Sequence, residues 1–155
     1  MWRCARGFLV GDRNVAAPWL RLRRASHFIR RMNAYLLVAL GSALGGVLRF
    51  WLSALMGDKL GAQHLGTVFV NVSGSFVIGV IAALGPMPFT RHLFMVGVLG
   101  GYTTFSSFSL QTLELAHEGK WGTAGANVAL SVVLSLLAVV LGHFCGAGVR
   151  RFFPR

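Results

Sequence analysis

Apolar residues fill the chain from about residue 33 onward in long runs that short polar stretches separate. A helix needs about 20 predominantly apolar residues to cross a bilayer. Four runs reach that length, and they predict membrane-spanning helices at residues 35–55, 65–84, 92–113 and 123–144. The connections are short, and one contains the turn-forming sequence Gly85-Pro86-Met87-Pro88. The pattern therefore predicts an all-α membrane protein in which residues 32–155 form one four-helix domain.

The third predicted span differs from the others at its centre, between Gly100 and Ser109. This stretch contains two glycines, two adjacent threonines and three serines, which are poor helix formers. The sequence therefore predicts a third helix that is broken at its centre. In lipid, the carbonyl and amide groups freed by a break must turn toward protein or toward an ion. The break is for that reason the first candidate functional site.

Composition agrees with a membrane protein. Of the 155 residues, 55% are hydrophobic and 12% are charged, whereas a soluble domain carries roughly a quarter charged residues. The two cysteines, Cys4 and Cys145, form neither a disulfide framework nor a metal-ligand spacing.

The net charge of +11 is concentrated in the first 31 residues, which hold eight of the fifteen basic side chains. From Met32 onward, seven basic residues face three acidic ones, so nucleic-acid binding is not predicted. Three interpretations of residues 1–31 remain open: an arginine-rich targeting segment, a cytoplasmic tail, or an untranslated stretch preceding a start at Met32. We favour the last, because Met32 opens directly into the first hydrophobic run.

The start site decides the predicted topology. Counted from Met32, one side of the membrane holds four basic residues and the other holds three, a bias faint enough to permit insertion in both orientations. With residues 1–31 included, the count becomes twelve against three, and the amino terminus would stay cytoplasmic.

Three polar features lie at predicted membrane depth. Thr67 and Asn71 share one face of the second span, and Asn127, Ser131 and Ser135 form a stripe along the fourth. The broken segment adds hydroxyls beside two phenylalanines. Each feature alone is compatible with a structural role. A Ser or Thr in a membrane helix usually hydrogen-bonds to a backbone carbonyl of its own helix, and the glycines of the third span could produce a kink without any functional role. Together, neutral donors and positive ring edges favour a pore for a small hydrated anion.

The spans contain no carboxylate at membrane depth. A proton-coupled exporter would be expected to bury Asp or Glu as its coupling group, so a proton-coupled small-solute exporter is the alternative rather than the first prediction. The sequence has no phosphate-binding loop and no supported nucleophile–base set, and an enzyme is not predicted.

The stretch from Gly100 to Ser109 closely resembles the central signature of the bacterial Fluc (CrcB) fluoride channels. Gly66-Thr67 with Asn71, Gly74, Ser75, Phe76 and Gly79 resembles the second-helix motif of that family. Gly45-Gly46 with Leu48-Arg49-Phe50 resembles its first-helix motif. The resemblance covers roughly residues 33–148.

The resemblance implies a fluoride-selective channel in the bacterial inner membrane that lowers cytoplasmic fluoride by passive efflux. It implies an antiparallel, dual-topology homodimer embedded in the lipid bilayer, or a pair with an oppositely oriented paralogous subunit. It also implies a structural Na⁺ ion on the dimer axis, held by the backbone carbonyls of Gly100 and Thr103. The implied pore residues are Asn71, Phe105 and Phe108, with Thr67, Ser106, Ser107, Ser131 and Ser135 as candidates for a polar track. Arg49 is expected near a pore mouth.

Two positions depart from the family pattern. Gln111 stands where the family often has a glutamate linked to the pore vestibule, so a role that requires ionisation is in doubt here. Tyr102 replaces a smaller residue and is expected to be tolerated if it faces outward.

Overall fold

The computed structural model describes the backbone of residues 18–152 and the side chains of residues 33–152. The chain divides into two units, Met1–Asn33 and Ala34–Arg155. All of the regular secondary structure in the described backbone is helical. Residues 1–17, which belong to the predicted basic tail, lie outside the described residues.

Helices of membrane-spanning length follow one another along the chain. Their bounds are α1 (Pro18–Leu60), α2 (Gln63–Ala83), the third span (Pro88–His117) and α6 (Trp121–Phe152). The third span is itself composed of α3 (Pro88–Thr90), a π-helical segment (Arg91–Leu99), α4 (Gly100–Tyr102) and α5 (Phe105–His117). All four are long and apolar enough to cross a membrane, the candidate part of the first being Asn33–Leu60.

The four predicted spans are confirmed as elements, but the helices extend beyond the predicted bounds. The largest difference is in the first helix, which begins at Pro18 rather than near residue 35. Hydrophobicity marks only the part of a helix that contacts lipid, so polar helical residues at the ends are missed. Proline suits the first helical position because its fixed φ fits a helix and it has no amide to satisfy.

The connections between the spans are tight turns. Gly61 ends α1 with φ of 76°, and Gly85 follows α2 with φ of 68°. These left-handed values favour glycine, which has no Cβ to clash with the neighbouring carbonyl. The predicted turn from Gly85 to Pro88 is thus confirmed, and Pro88 begins the next helix.

The predicted break at the centre of the third span is not confirmed; the structure has an interruption of two residues instead. Thr103 and Thr104 adopt extended backbone angles (ψ 152° and 121°) between α4 and α5, and the span bends only slightly there. The nine-residue π-helical segment just before it was not predicted at all. Such wide turns are rare and occur often at functional sites.

Glycines set the distance between the packed helices. A side chain at Gly79 or Gly142 would collide with the carbonyl of Val139 or Phe76, respectively, across the contact between α2 and α6. Backbones approach this closely only where a Cβ is absent, which is how helices associate in lipid. We call this contact the α2–α6 seam. Gly41, Gly45 and Gly66 also meet the backbone of a neighbouring helix, whereas Gly74 meets the side chains of Tyr102 and Thr103, and Gly46 has no atom within 4 Å of where its Cβ would lie.

Candidate functional site

The interruption of the third span is tied to α2 by one side chain, Asn71. The backbone N–H of Thr104 donates to Asn71 Oδ1 at 2.7 Å, and Asn71 Nδ2 donates to the Thr104 carbonyl at 2.9 Å. Asn71 lies two turns into α2 and 33 positions away in sequence. The carboxamide therefore pairs with the Thr104 peptide groups much as a neighbouring strand would.

Thr104 also caps the helix that restarts after it. Its side-chain oxygen accepts from the Ser107 backbone N–H at 3.2 Å. Threonine is a favourable N-cap residue because its hydroxyl satisfies an amide that the first turn leaves without a helical acceptor. Thr104 thus serves both halves of the interruption, through its backbone and through its hydroxyl.

The bonds to Asn71 and within the Thr104 cap leave two backbone carbonyls without their usual helical donors. In a continuous helix the Gly100 carbonyl would accept from the Thr104 N–H, and the Thr103 carbonyl from the Ser107 N–H. Both donors are bonded elsewhere. Gly100 is exposed in the single chain, and both residues line a depression of about 260 Å³ beside Gly74 and Met95. The two predicted Na⁺ ligands are therefore carbonyls without their helical donors, and such hard oxygens fit a hard cation.

A second depression, of about 290 Å³, also borders the interruption; we call it the polar cavity after the amide and hydroxyl side chains in its otherwise apolar walls. It brings together five of the predicted pore residues, one from α2, two from α5 and two from α6. They are Asn71, Phe105, Phe108, Ser131 and Ser135. The rings of Phe105 and Phe108 lie 5.2 Å apart, centroid to centroid, with an interplanar angle of 57°. Phe108 is buried, whereas Phe105 is 76% exposed in the single chain.

The polar cavity is unusual in having buried hydroxyls without partners. Among the described residues, Ser131 Oγ and Ser135 Oγ are each buried without a hydrogen-bond partner. A buried polar group without a partner costs about 1–3 kcal/mol, and native structures rarely keep such groups without a reason. Two of them on one face of α6, four residues apart, indicate that a ligand or water meets them there.

A smaller cavity of about 130 Å³ lies next to the interruption on the side of α1. Arg49, Thr67, Thr104 and Ser107 are among its lining residues. Arg49 Nη1 lies 3.4 Å from Ser107 Oγ, and Arg49 Nε is buried without a partner. Lys120–Glu118 is the one salt bridge among the described residues, so no carboxylate neutralises Arg49.

The ends of the helices add fixed charge to this region. The interruption places the amino terminus of α5 beside the polar cavity, and the first N–H groups of a helix have no helical acceptor. A helix carries about half a positive charge at this end. Apart from Arg49, no lining residue of the two cavities is ionisable. The environment is therefore positive and rich in donors, which suits a small anion.

The structure does not bring all predicted residues together. Ser106 is exposed, lines neither cavity, and has its Oγ 3.2 Å from Thr104 Oγ1. Gln111 lies one turn beyond Phe108 on α5, and its Oε1 is buried without a partner. Thr67 is buried at 3% exposure beside Arg49, in the smaller cavity and away from Ser131 and Ser135.

Tyr102 does not face outward, which was the condition under which we expected it to be tolerated. It is buried at 7% exposure, and its hydroxyl lies 2.9 Å from Ser73 Oγ. Its ring also occupies the space that a Cβ at Gly74 would need. A glycine on α2 therefore makes room for a large aromatic side chain inside the bundle.

Two further polar contacts were missed. The sequence assigned no role to Thr104, although a threonine directly before a resumed helix is a recognisable capping signal. Asn127 Nδ2 donates to Thr112 Oγ1 at 2.8 Å and joins α6 to α5, while Asn127 Oδ1 is buried without a partner. Thr112 carried no distinguishing signal in the sequence.

Comparison with known proteins gives one consistent result. The model of the family described as "CrcB-like protein, Camphor Resistance (CrcB)" matches residues 36–143. A relative from Rhodospirillum rubrum, named "Fluoride-specific ion channel FluC", is 56% identical over 117 residues, which are 70% of this chain and 91% of the relative. A protein of the same name from Opitutus terrae is 53% identical over 126 residues, 76% of this chain and 96% of the relative. A third, from Paramagnetospirillum magneticum, is 49% identical over 128 residues, 77% of this chain and all of the relative.

Proposed function

The chain belongs to the CrcB family, and on that premise we propose that it forms a fluoride-selective ion channel in a membrane. The observation that carries the proposal is the polar cavity, which is lined by Phe105, Phe108, Ser131 and Ser135 and in which the two serine hydroxyls are buried without a partner. The names of the relatives support fluoride as the ion.

The chemistry of the cavity accounts for an ion of this kind. Fluoride is small and strongly hydrated, so a path must replace its water with donors at short range. Serine hydroxyls, the second N–H of the Asn71 amide and the positive edges of phenylalanine rings can each do this. Because these groups are neutral, they bind the anion without holding it as tightly as a fixed cation would, and conduction requires that an ion can leave.

Arg49 supplies the positive field beside this path. Its guanidinium contacts Ser107 on α5 and has no acidic partner among the described residues. An uncompensated cation in a membrane helix raises the local concentration of anions. Thr67 and Ser107, which line the smaller cavity beside Arg49, would pass the ion between that cavity and the interruption. Gln111 would lie at the far end of the ion path, near Phe108.

We further propose a structural Na⁺ at the carbonyls of Gly100 and Thr103. Two carbonyls in one chain leave most of the coordination sphere of Na⁺ open, and the same pair from a second, antiparallel copy would complete four ligands. Exposure of Gly100 in the single chain supports a partner at this face. The partner would be a second copy or an oppositely oriented paralogous subunit.

In the bacterial inner membrane such a channel would lower cytoplasmic fluoride without a pump. Hydrogen fluoride enters as a neutral weak acid and dissociates at the higher internal pH. A potential that is negative inside then drives the anion outward, by about 2.3 kcal/mol for each 100 mV.

A proton-coupled exporter is the competing proposal, and reconstitution separates the two. The full-length protein is placed in liposomes loaded with fluoride, and release is followed with a fluoride electrode, with and without a proton gradient and with chloride as the control anion. The channel predicts fast fluoride release that needs no proton gradient, and no release of chloride. Release only with the gradient would instead establish the exporter, and no release at all would contradict the proposal for this chain acting alone.

A further inference from the structure

We propose that Asn71 is a positioning residue for the interruption of the third span, acting on backbone groups in addition to any contact with the ion. The proposal rests on the proposed function, because it assigns to Asn71 the task of keeping the Gly100 carbonyl available to Na⁺. It is drawn from the double hydrogen bond between the Asn71 carboxamide and the peptide groups of Thr104.

The first step concerns what the third span would do without Asn71. Gly100 and Thr104 are four residues apart, the spacing of a helical hydrogen bond. An unbonded Thr104 N–H at membrane depth would be costly, and the nearest remedy is to close onto the Gly100 carbonyl. Asn71 Oδ1 accepts the Thr104 N–H at 2.7 Å, so this N–H does not need the Gly100 carbonyl as its acceptor.

The second step concerns Thr104 itself, which acts on the other carbonyl by the same means. Its hydroxyl accepts the Ser107 N–H at 3.2 Å, the donor that the Thr103 carbonyl would otherwise receive. Two side-chain acceptors, Asn71 Oδ1 and Thr104 Oγ1, therefore keep two carbonyls open. Each replaces one helical acceptor, so the interruption costs few hydrogen bonds.

The third step separates positioning from ion contact. The acceptor oxygen of Asn71 is used on Thr104, while its amide nitrogen has one N–H on the Thr104 carbonyl and a second left over. Asn71→Asp keeps an acceptor for the Thr104 N–H but loses both the donor to the Thr104 carbonyl and the donor that an anion needs. Asn71→Ala loses both functions.

The test measures sodium dependence and fluoride flux on the same variants. The full-length protein in detergent is melted over a titration of NaCl, with N-methylglucamine chloride keeping the ionic strength constant, and flux is measured in liposomes. For Asn71→Ala we expect the Na⁺ concentration of half-maximal stabilisation to rise about tenfold, the effect of losing one hydrogen bond, and flux to fall. For Asn71→Asp we expect the Na⁺ midpoint to stay near the wild-type value while flux falls.

Matched variants keep the proposal falsifiable if Asn71→Ala does not fold. Thr104→Ala should raise the Na⁺ midpoint and Thr104→Ser should not, because serine retains the hydroxyl cap. Ser135→Ala, in the same cavity but without a contact to the interruption, should leave the midpoint unchanged. An unchanged Na⁺ midpoint in Asn71→Ala, with flux lost, would overturn the positioning role and leave the channel standing. No Na⁺ effect on the wild type would overturn both this role and the proposed Na⁺ site.

Discussion

The α2–α6 seam and the polar cavity are built on opposite principles, although α2 and α6 contribute to both. At the seam, Gly79 and Gly142 let two backbones meet closely. At the cavity, the same two helices keep space between them, and two serine hydroxyls are buried without partners. The seam holds the bundle together by van der Waals contact. In the cavity, by contrast, two serine hydroxyls have no hydrogen-bond partner in the protein, and an ion could supply one.

The contrast shows how polar residues in one membrane bundle can be sorted by role. Ser73 and Thr112 have partners on neighbouring helices, Tyr102 and Asn127, while Ser131 and Ser135 also carry hydroxyls but have no partners. A satisfied hydroxyl stabilises the fold, and an unsatisfied one destabilises it slightly in the absence of a ligand. Function is therefore expected where the hydrogen bonds are missing.

The largest expected effect comes from breaking the seam. Gly142→Val would place its Cβ against the Phe76 carbonyl, and overpacking a tight backbone contact costs about 3 kcal/mol. We expect the variant to lose most of its folded, monodisperse population in detergent, measured by size-exclusion chromatography. Gly148→Ala is the control, since no atom lies within 4 Å of its Cβ position. A folded Gly142→Val protein with the wild-type melting temperature would contradict this view of the seam.

A smaller effect is expected at a satisfied hydroxyl. Tyr102→Phe removes the hydrogen bond to Ser73 and should lower the free energy of unfolding by about 1 kcal/mol. Thermal melts in detergent measure this, with the exposed Tyr35→Phe as the control. Equal melting temperatures for both variants would mean that the Tyr102 hydroxyl does not stabilise the bundle.

The cavity residues also predict a weak dependence of flux on pH. Arg49 is the one ionisable residue lining the two cavities, and no carboxylate or imidazole lines either of them. At fixed fluoride-ion concentration, flux should change by less than about twofold between about pH 6 and about pH 8. Gln111→Glu sharpens the test by adding a titratable group one turn from Phe108. A steep titration in the wild-type protein would point to a coupled proton and to the exporter.

The smallest effect is expected outside both regions, in the connection after the third span. The hydrogen bond and charge of Lys120 lower the pKa of Glu118 from its ordinary value of 4.5. A lowered pKa in the folded state adds stability above 4.5, and that stability is lost as the pH falls below it. Because the pair is exposed, salt should screen it. Lys120→Met should therefore leave the melting temperature at neutral pH nearly unchanged. A large shift would contradict the expectation that this exposed pair contributes little to stability.

Sequence patterns predicted the elements of this fold better than their interior contacts. Hydrophobic runs located all four spans, and Gly100 to Ser109 located the interruption, because composition alone reports burial in lipid and poor helix formation. The pairing of Asn71 with Thr104 crosses 33 positions and depends on how the helices pack. The inward position of Tyr102 was missed for the same reason, since it depends on the space that Gly74 leaves.

The candidate site was predictable in its residue types and less so in its arrangement. Asn71, Phe105, Phe108, Ser131 and Ser135 converge on one cavity, as the polar stripes suggested. Ser106 lines neither of the two cavities, and Thr67 lies in the smaller one. Whether a hydroxyl has a hydrogen-bond partner depends on the contacts between helices. The four-residue spacing of the polar residues along α6 does not reveal it.

Fluoride efflux from liposomes, compared between Ser131→Ala/Ser135→Ala and Ser73→Ala, tests the central claim most directly. The double variant removes two hydroxyls without partners, so we expect normal folding and fluoride efflux at least about tenfold slower, the loss of roughly one net hydrogen bond to the ion in transit. Ser73→Ala removes a hydroxyl with partners outside the cavity, so we expect slightly lower stability and unchanged efflux. Unchanged efflux in the double variant, with a loss in Ser73→Ala, would contradict the assignment of the ion path to the unpartnered hydroxyls.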